Sequence, residues 1–599
     1  MVLLTQLPLE IVNHVLSFVD PEDLPRVNTT CQYLYHAVKD NKALFRAVYL
    51  RHLVSLRAML AISVPHVPRD NMRLIKLDAQ VDWVQEIQDL VKLKRICASE
   101  GPERLRTPQL FTDKSHRGIS SEGQGDHLPF VYNTVTRLLQ HATSQGARPR
   151  PSVTYGASQN VSILRECFSP ESTVHSFLCR SFLFQRARSP VKKFISPKQP
   201  PTEERQMSAK LHCLYGAPVL NFSRLRSSRT HPFAISKVYD IREYTARTRW
   251  GPFMDEGPGP VGSETNEDGQ LPGDRVDWEK VEAIMIVLWH NMKTKGLDRL
   301  PVFSQFWGKP FAGCWPNSYV PEPRDRDIRD LELEDPYDVT GTWLRVVCFL
   351  DYNDFFAYNF PPHDDLPDHL PRHALDEVEA TRLIVVKIRV TRIEPPGPED
   401  GQSLPVVHFE GFSKSLDSSL DENANSGLTG SVRLTREGEV RWTSHSIFNG
   451  QERWRSESIQ VGGLRSAKVV GNWFDKDYDP SGPVGPTAFW KISDRQPGSR
   501  DDHITENDYR AIIDGLEEDV DLGPADEDDE AGLLGVFQIN SDDEEYEYGE
   551  EEEDEDDDSE EDDLAPGGAA GDLAGGQEQD GDDDTFVFAG VKPHGLDEK

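Results

Sequence analysis

The chain has 599 residues, with 102 Asp or Glu against 65 Lys or Arg, a net charge of -37. Residues 501–599 hold 40 of those acids and 3 of the bases, so residues 1–500, with 62 of each sign, are neutral. The acidity therefore belongs to one segment, the overall pI says nothing about partners of the rest, and the length allows at most about four domains.

The first stretch with a clear pattern is LPLEIVNHVLSFVDPEDLPRVNTTCQYLYHAV, Leu7 to Val38. Ile11, Val12, Val15, Leu16 and Val19 recur at helical spacing, with Pro8 placed to take the first helical position. Asp20-Pro21 closes this helix and opens a very short second one carrying Leu24 and Val27. Asn28-Thr29-Thr30 can then cap a third helix with Cys31, Leu34, Tyr35 and Val38. Helices this short cannot bury all their apolar faces among themselves, so some of Leu7, Ile11, Val15 and Leu16 should seek a partner.

Helix continues from residue 41 to about 97. Leu44, Phe45, Val48, Tyr49 and Leu53 share one stripe; Val81, Val84, Ile87, Leu90, Val91 and Leu93 mark another. From Gly101 to about Gln206 Gly, Ser, Pro and Arg rise, with helix expected near Thr134–His141 and Val174–Arg186. Residues 180–229 carry eleven bases against Glu203 and Glu204, a net of +9. Within them Ser189-Pro-Val-Lys and Ser196-Pro-Lys have the form that proline-directed kinases read. This block reads first as a solvated loop; a nuclear import signal is the next reading. Phe182, Phe184 and Phe194 interleave with the bases, but no nucleic-acid-binding module surrounds them, which makes nucleic acid an improbable partner.

Ten of the eleven Trp lie between residues 250 and 490, where large aromatics need a core or a binding face. VDWEKVEAIMIVLWHNM places Trp278, Val281, Met285, Leu288 and Trp289 at helical spacing. Beyond residue 340 the period becomes two, over Thr342–Leu350, Leu383–Thr391, Val406–Phe412, Trp454–Val461, Ala467–Gly471 and Ala488–Ile492. SVRLTREGEVRWT reads as a hairpin turning at Gly438. About eight short strands with Gly/Pro turns predict an antiparallel barrel or sandwich. The fold class expected is therefore α+β: a helical domain over 1–60, a helical and partly disordered basic Ser/Pro linker region over 61–207, a β-rich domain over 208–495, and a disordered acidic tail over 496–599.

Chemistry is sparse. The seven Cys, at 31, 97, 167, 179, 213, 314 and 348, form no C-x-x-C pair and fit reduced thiols of a cytosolic or nuclear protein. The first residues lack a charged, cleavable leader and no apolar run reaches eighteen, so no membrane partner is expected. No nucleophile elbow, zinc-protease, Walker or dinucleotide motif stands in its proper context. His363, Asp364, Asp365, Asp368, His369 and His373 have metal-ligand chemistry, yet their Pro-rich stretch lacks an element to fix them. No metal, cofactor or catalytic residue is assigned.

Recognition chemistry is richer. Arg345, Arg433, Arg441, Arg453 and Arg455 sit beside or between Trp343, Trp442, Trp454 and Trp473. Such a lining suits a phosphorylated or carboxylate-bearing peptide; equally, the Trp fill a core and the Arg decorate its outside. The segment LDYNDFFAYNF could rim the mouth. Asp542–Asp563 has 18 acids in 22 residues and cannot bury enough to fold. Val536–Ile539 before acids has the form of a strand added to the small ubiquitin-like modifier. Ser541 and Ser559, each followed by acids, suit an acid-directed kinase, and the tail could fold back on the basic block.

The order of hydrophobics from Leu7 through Leu44-Phe45 resembles the F-box. The resemblance implies docking onto the linker subunit of an SCF-type cullin–RING ubiquitin ligase and, through it, the cullin, with Leu7, Pro8, Ile11, Val15, Leu16, Leu24, Val27 and Cys31 forming or supporting the docking face. GTWLRVVCFLDYNDFFAYNF, SIFNGQERWRSESIQVGGLRSAKVVGNWFDKDYDPSGPVGPTAFWKISD and SAKLHCLYG resemble the C-terminal region of filamentous-fungal F-box proteins. More distantly, the layout is similar to F-box-only proteins whose C-terminal β-barrel holds the substrate. Together these imply a non-catalytic substrate adaptor, cytoplasmic or nuclear, or else an F-box scaffold acting outside a ligase on chromatin or RNA.

Overall fold

The structure, a computed structural model, describes residues 7–53, 81–99, 127–142, 158–188, 201–221, 227–255, 274–299, 301–319, 330–361, 367, 370–416 and 425–493. Four short helices come first: α1 Leu9–Leu16, α2 Leu24–Asn28, α3 Gln32–Val38 and α4 Lys42–His52. Their inner faces bury Val12, Leu16, Leu24, Val38, Leu44, Phe45, Val48 and Tyr49. Asn41 caps α4 through its side-chain oxygen on the Leu44 N–H, and its amide donates to the Asn13 side chain (3.0 Å) and the Ala37 carbonyl (2.8 Å). One side chain thus ties α1, α3 and the start of α4.

The ends of these helices differ from the sequence expectation. Pro8 takes the cap position rather than the first helical one. α2 starts at Leu24, with Pro25 rather than Pro21 in its first turn, and Asp20 does not cap it. Thr29 and Thr30 turn their hydroxyls back onto the Arg26 and Val27 carbonyls, and Cys31 occupies the cap of α3. Short polar side chains bond to either neighbouring turn, and here the preceding turn wins. Farther on, Val174–Arg186 is two helices, Glu171–Leu178 and Phe182–Arg188, broken at Cys179.

Eight antiparallel strands close a barrel in chain order: β1 Gly341–Phe349, β2 Ala380–Glu394, β3 Val406–Ser415, β4 Ser426–Leu434, β5 Val440–Phe448, β6 Gln451–Val461, β7 Lys468–Asp475 and β8 Val484–Ser493, which returns to β1. The expected strands are all present, and the choice between barrel and sandwich resolves to a barrel. Closure removes the exposed edges that an open sheet would carry. The β4–β5 turn uses Gly438 with φ 86°, and the β5–β6 turn uses Asn449-Gly450, both with positive φ, as a tight hairpin requires.

Alternation gives the barrel two apolar faces. Inside, Trp343, Val386, Ile388, Phe409, Val432, Trp442 and Phe489 pack together. Gly430 leaves room for the Phe409 ring, since a Cβ there would lie 2.5 Å from Phe409 Cζ and 2.2 Å from the Thr443 carbonyl oxygen. Outside, Leu344, Val346, Cys348, Val470, Ala488 and Trp490 meet the helical layer. The central helix of that layer, Trp278–Thr294, is buried on nearly all sides between the helices Glu203–Tyr215 and Ser227–Tyr239 and the barrel wall. One hydrophobic core runs without interruption from Val12 in α1 to Trp490 in β8.

Candidate functional site

α1 is apolar on more than one side. Val12 and Leu16, four residues apart, point inward. Ile11 and Val15 fall on the flank of that inward pair and Phe18 just past the helix end, and they are 48%, 43% and 55% exposed, with Leu9 at the helix start 49% exposed. The residues expected to form the docking face divide accordingly. Pro8, Ile11, Val15 and Cys31 are exposed, Leu7 and Val27 are half-buried, and Leu16 and Leu24 are buried beneath them. Tyr33 donates to the Leu7 carbonyl (3.1 Å), which holds the approach to α1. Leu9 and Phe18 were not singled out in the sequence. Phe18 carries the Arg51 guanidinium 3.5 Å from its ring centre. An apolar row of this size left in water marks an interaction surface.

A second helix positions these four. The Trp83–Ser99 helix packs Trp83 edge-on against Tyr49 (5.1 Å) and pairs Lys94 with Glu22 (2.5 Å). It is held in turn by Arg137, which reaches Glu86 (2.9 Å) and Asp89 (2.7 Å).

The barrel sorts the expected Arg and Trp residues by strand parity. Trp343, Trp442 and Trp473 point inward, and each indole N–H is satisfied, by the Val339 carbonyl (3.0 Å), Gln460 (3.1 Å) and the Cys348 carbonyl (3.0 Å). Trp343, Trp442 and Phe489 make a floor of edge-on rings with centres 5.1–5.6 Å apart. Trp454 meets Trp473 edge-on (5.1 Å) toward the end of the barrel that carries the β5–β6 and β7–β8 turns. The helix Tyr352–Asn359 follows β1 at that same end, with Tyr352 and Phe356 exposed.

Arg433, Arg441 and Arg455 project outward, and Arg453 is exposed near the β5–β6 turn. Arg441 is clamped by Glu457 through two hydrogen bonds (2.8 and 2.9 Å) and by Asp274 (2.7 Å). Arg433 donates to Ser431 (2.9 Å), and Arg455 to Glu452 (2.5 Å) and Tyr478 (2.5 Å). Arg453 lies over Trp454 and Phe448.

Arg345 alone of the five is inside. It is 8% exposed and shares a cavity of about 20 Å³ with the floor rings and Ser444. Its Nε donates to Thr487 Oγ1 (3.0 Å), and that hydroxyl donates to the Val346 carbonyl (2.9 Å). No carboxylate among the described residues pairs with it, and burial pushes its guanidinium down to about 10. Hydroxyls surround this level of the lumen: Ser413 with Ser426 (2.6 Å), Ser444 with Ser456 (2.6 Å), and Ser458.

Several other candidates lie outside the described residues: Ser189, Ser196, Ser541, Ser559, Phe194, Val536–Ile539, His363, Asp364, Asp365, Asp368 and His369. His373 is exposed beside Tyr358. No cluster of three or more His, Cys, Asp or Glu suited to a metal occurs among the described residues, and none of their helices is long and apolar enough to cross a membrane. All seven Cys are free thiols, six of them buried. Part of the basic block is used internally. Arg205 grips buried Glu279 with two bonds (2.9 and 2.6 Å), Lys210 pairs with Glu439, and Arg186 donates to the Arg372 carbonyl (3.0 Å).

No curated protein and no solved structure matches the chain. The family described as F-box-like matches residues 4–51. The four short helices with a buried inner face and an exposed apolar outer face are an F-box-like domain.

Proposed function

We propose that the chain is the substrate-recognition adaptor of an SCF-type cullin–RING ubiquitin ligase. The observation that carries this reading is the exposed row Leu9, Ile11, Val15 and Phe18 on a domain of F-box-like sequence. The row docks on the linker subunit, and the linker subunit brings the cullin. The barrel selects a protein for ubiquitin-dependent degradation in the cytoplasm or nucleus. The adaptor makes and breaks no bond: it holds two reactants near each other, and high effective concentration supplies the rate. The continuous core from α1 to the barrel supports this, because a rigid adaptor fixes the distance between its two ends.

Affinity purification of wild type and the Ile11→Ala/Val15→Ala variant, with quantitative mass spectrometry, tests the reading. Truncating two interface anchors costs about 2–5 kcal/mol, or more than tenfold in affinity. Linker subunit and cullin should accompany wild type and vanish from the variant. Linker subunit without cullin would favour a scaffold outside a ligase; neither protein with wild type would end the proposal.

A further inference from the structure

We infer that the barrel lumen contains a carboxylate-binding site centred on Arg345. The floor of the lumen is formed by Trp343, Trp442 and Phe489, whose rings pack edge-on against one another. Above it the wall changes from apolar to hydroxyl-bearing, with Ser413, Ser426, Ser444, Ser456 and Thr487 at the level of Arg345 or nearer the end with the β5–β6 turn. A hydrophobic barrel interior has no use for a cation here. Burying a guanidinium without a counter-charge is costly, and replacing it by an apolar side chain of similar length would favour the fold.

The geometry says what would offset that cost. Thr487 takes the Nε hydrogen bond and is itself fixed on the Val346 carbonyl, so the plane of the guanidinium is set. Its two terminal nitrogens have no partner among the described residues. A planar fork with both prongs unused matches a carboxylate through two parallel hydrogen bonds. The space beside it is small, about 20 Å³. A planar carboxylate meets the two prongs edge-on with one oxygen on each; the further oxygens of a phosphate would lie against Val386, Ile388 and Leu428, where nothing pairs with them. The carboxylate is carried either by a small free acid or by the end of a polypeptide entering from the Trp454–Trp473 end.

This inference stands apart from the ligase reading, since it concerns the chain alone. The test is thermal unfolding of the full chain in acetate, in sodium chloride of equal ionic strength, in inorganic phosphate, and with a short peptide carrying either a free or an amidated C-terminus. Acetate should raise the midpoint saturably above the chloride control, while phosphate should not. A larger rise with the free-ended peptide than with acetate, absent for the amide, assigns the source to a polypeptide end; equal rises assign it to small acids. Arg345→Met should unfold at a higher temperature than wild type without ligand and lose the acetate response. Arg345→Lys, which keeps the charge but not the fork, should bind acetate at least tenfold more weakly. No acetate response in wild type, an equal response to chloride, or an undiminished response in Arg345→Lys would overturn the inference.

Discussion

Arg441 joins segments 167 positions apart in the sequence. Its guanidinium lies on the outer face of β5, meets Glu457 on β6 through two hydrogen bonds, and reaches Asp274 just before the central helix. The two carboxylates hold its pKa above the ordinary arginine value, although burial alone would lower it. Removing the cation would leave buried Glu457 without an ion partner, with only the Thr443 hydroxyl still donating to it, while Asp274 keeps Arg249. We expect Arg441→Met to destabilise the fold by about 3–5 kcal/mol, read as a drop in the urea midpoint followed by tryptophan fluorescence. An unchanged midpoint would mean the clamp contributes nothing. Arg345, in the wall of the same barrel, has the opposite sign: there an apolar replacement stabilises. In the sequence the two residues look alike, since both stand near Trp in a period-two stretch. Period two fixes which residues share a face, but not which face is the inside. That depends on closure of the barrel, a property of β1 meeting β8.

The same ambiguity affects α1 for a different reason. Six apolar residues in nine, Ile11 to Val19, are too many for one face of an eight-residue helix and the turn after it, so the surplus had to be exposed. Which of them would be inward was set by α4, whose Leu44 and Val48 share a core with Val12 and Leu16 and leave Ile11 and Val15 in water. Strands were legible one by one because their period and their turn glycines agree. Caps were not, because Ser, Thr, Asn and Asp bond equally well to either side. Asn41 is such a cap, and three of its bonds converge where α1, α3 and α4 meet. Asn41→Ala removes all three and should cost about 1–2 kcal/mol locally. Hydrogen exchange read by mass spectrometry should show α1 and α4 exchanging faster while the barrel strands stay protected. Equal acceleration in β1–β8 would show instead that the helices and barrel open as one unit.

At the scale of the whole molecule, the continuous core from α1 to β8 buries ionisable groups of both kinds, and these set the response to acid. His141 and His290 are held down to about 4, mainly by burial, with Arg137 adding to the effect on His141 and His231 on His290. In the unfolded chain a histidine takes up its proton near pH 6.5, which the folded chain refuses until about 4. Each therefore costs stability progressively as pH falls from 6.5 to 4. Asp335 runs the other way. Burial raises it to about 6, despite the Tyr337 and Val339 N–H groups that donate to it. The folded chain keeps that proton while the unfolded chain releases it near 3.8, so stability falls as pH rises from about 4 to about 6. Burial also raises Glu86 and Glu279, against the pull of Arg137 and Arg205, and they add to the Asp335 side. The opposing slopes overlap between pH 4 and 6 and partly offset each other. Removing one histidine shifts the balance. His141→Gln should gain on wild type by an amount on the order of 3 kcal/mol as pH falls from 6.5 to 4, since a proton withheld by the folded chain costs about 1.4 kcal/mol for every pH step of one. Urea midpoints of both proteins at half-unit steps of pH measure this directly. Parallel curves would mean that the His141 ring takes its proton in the folded chain as readily as in the unfolded one, and that water reaches it behind Arg137.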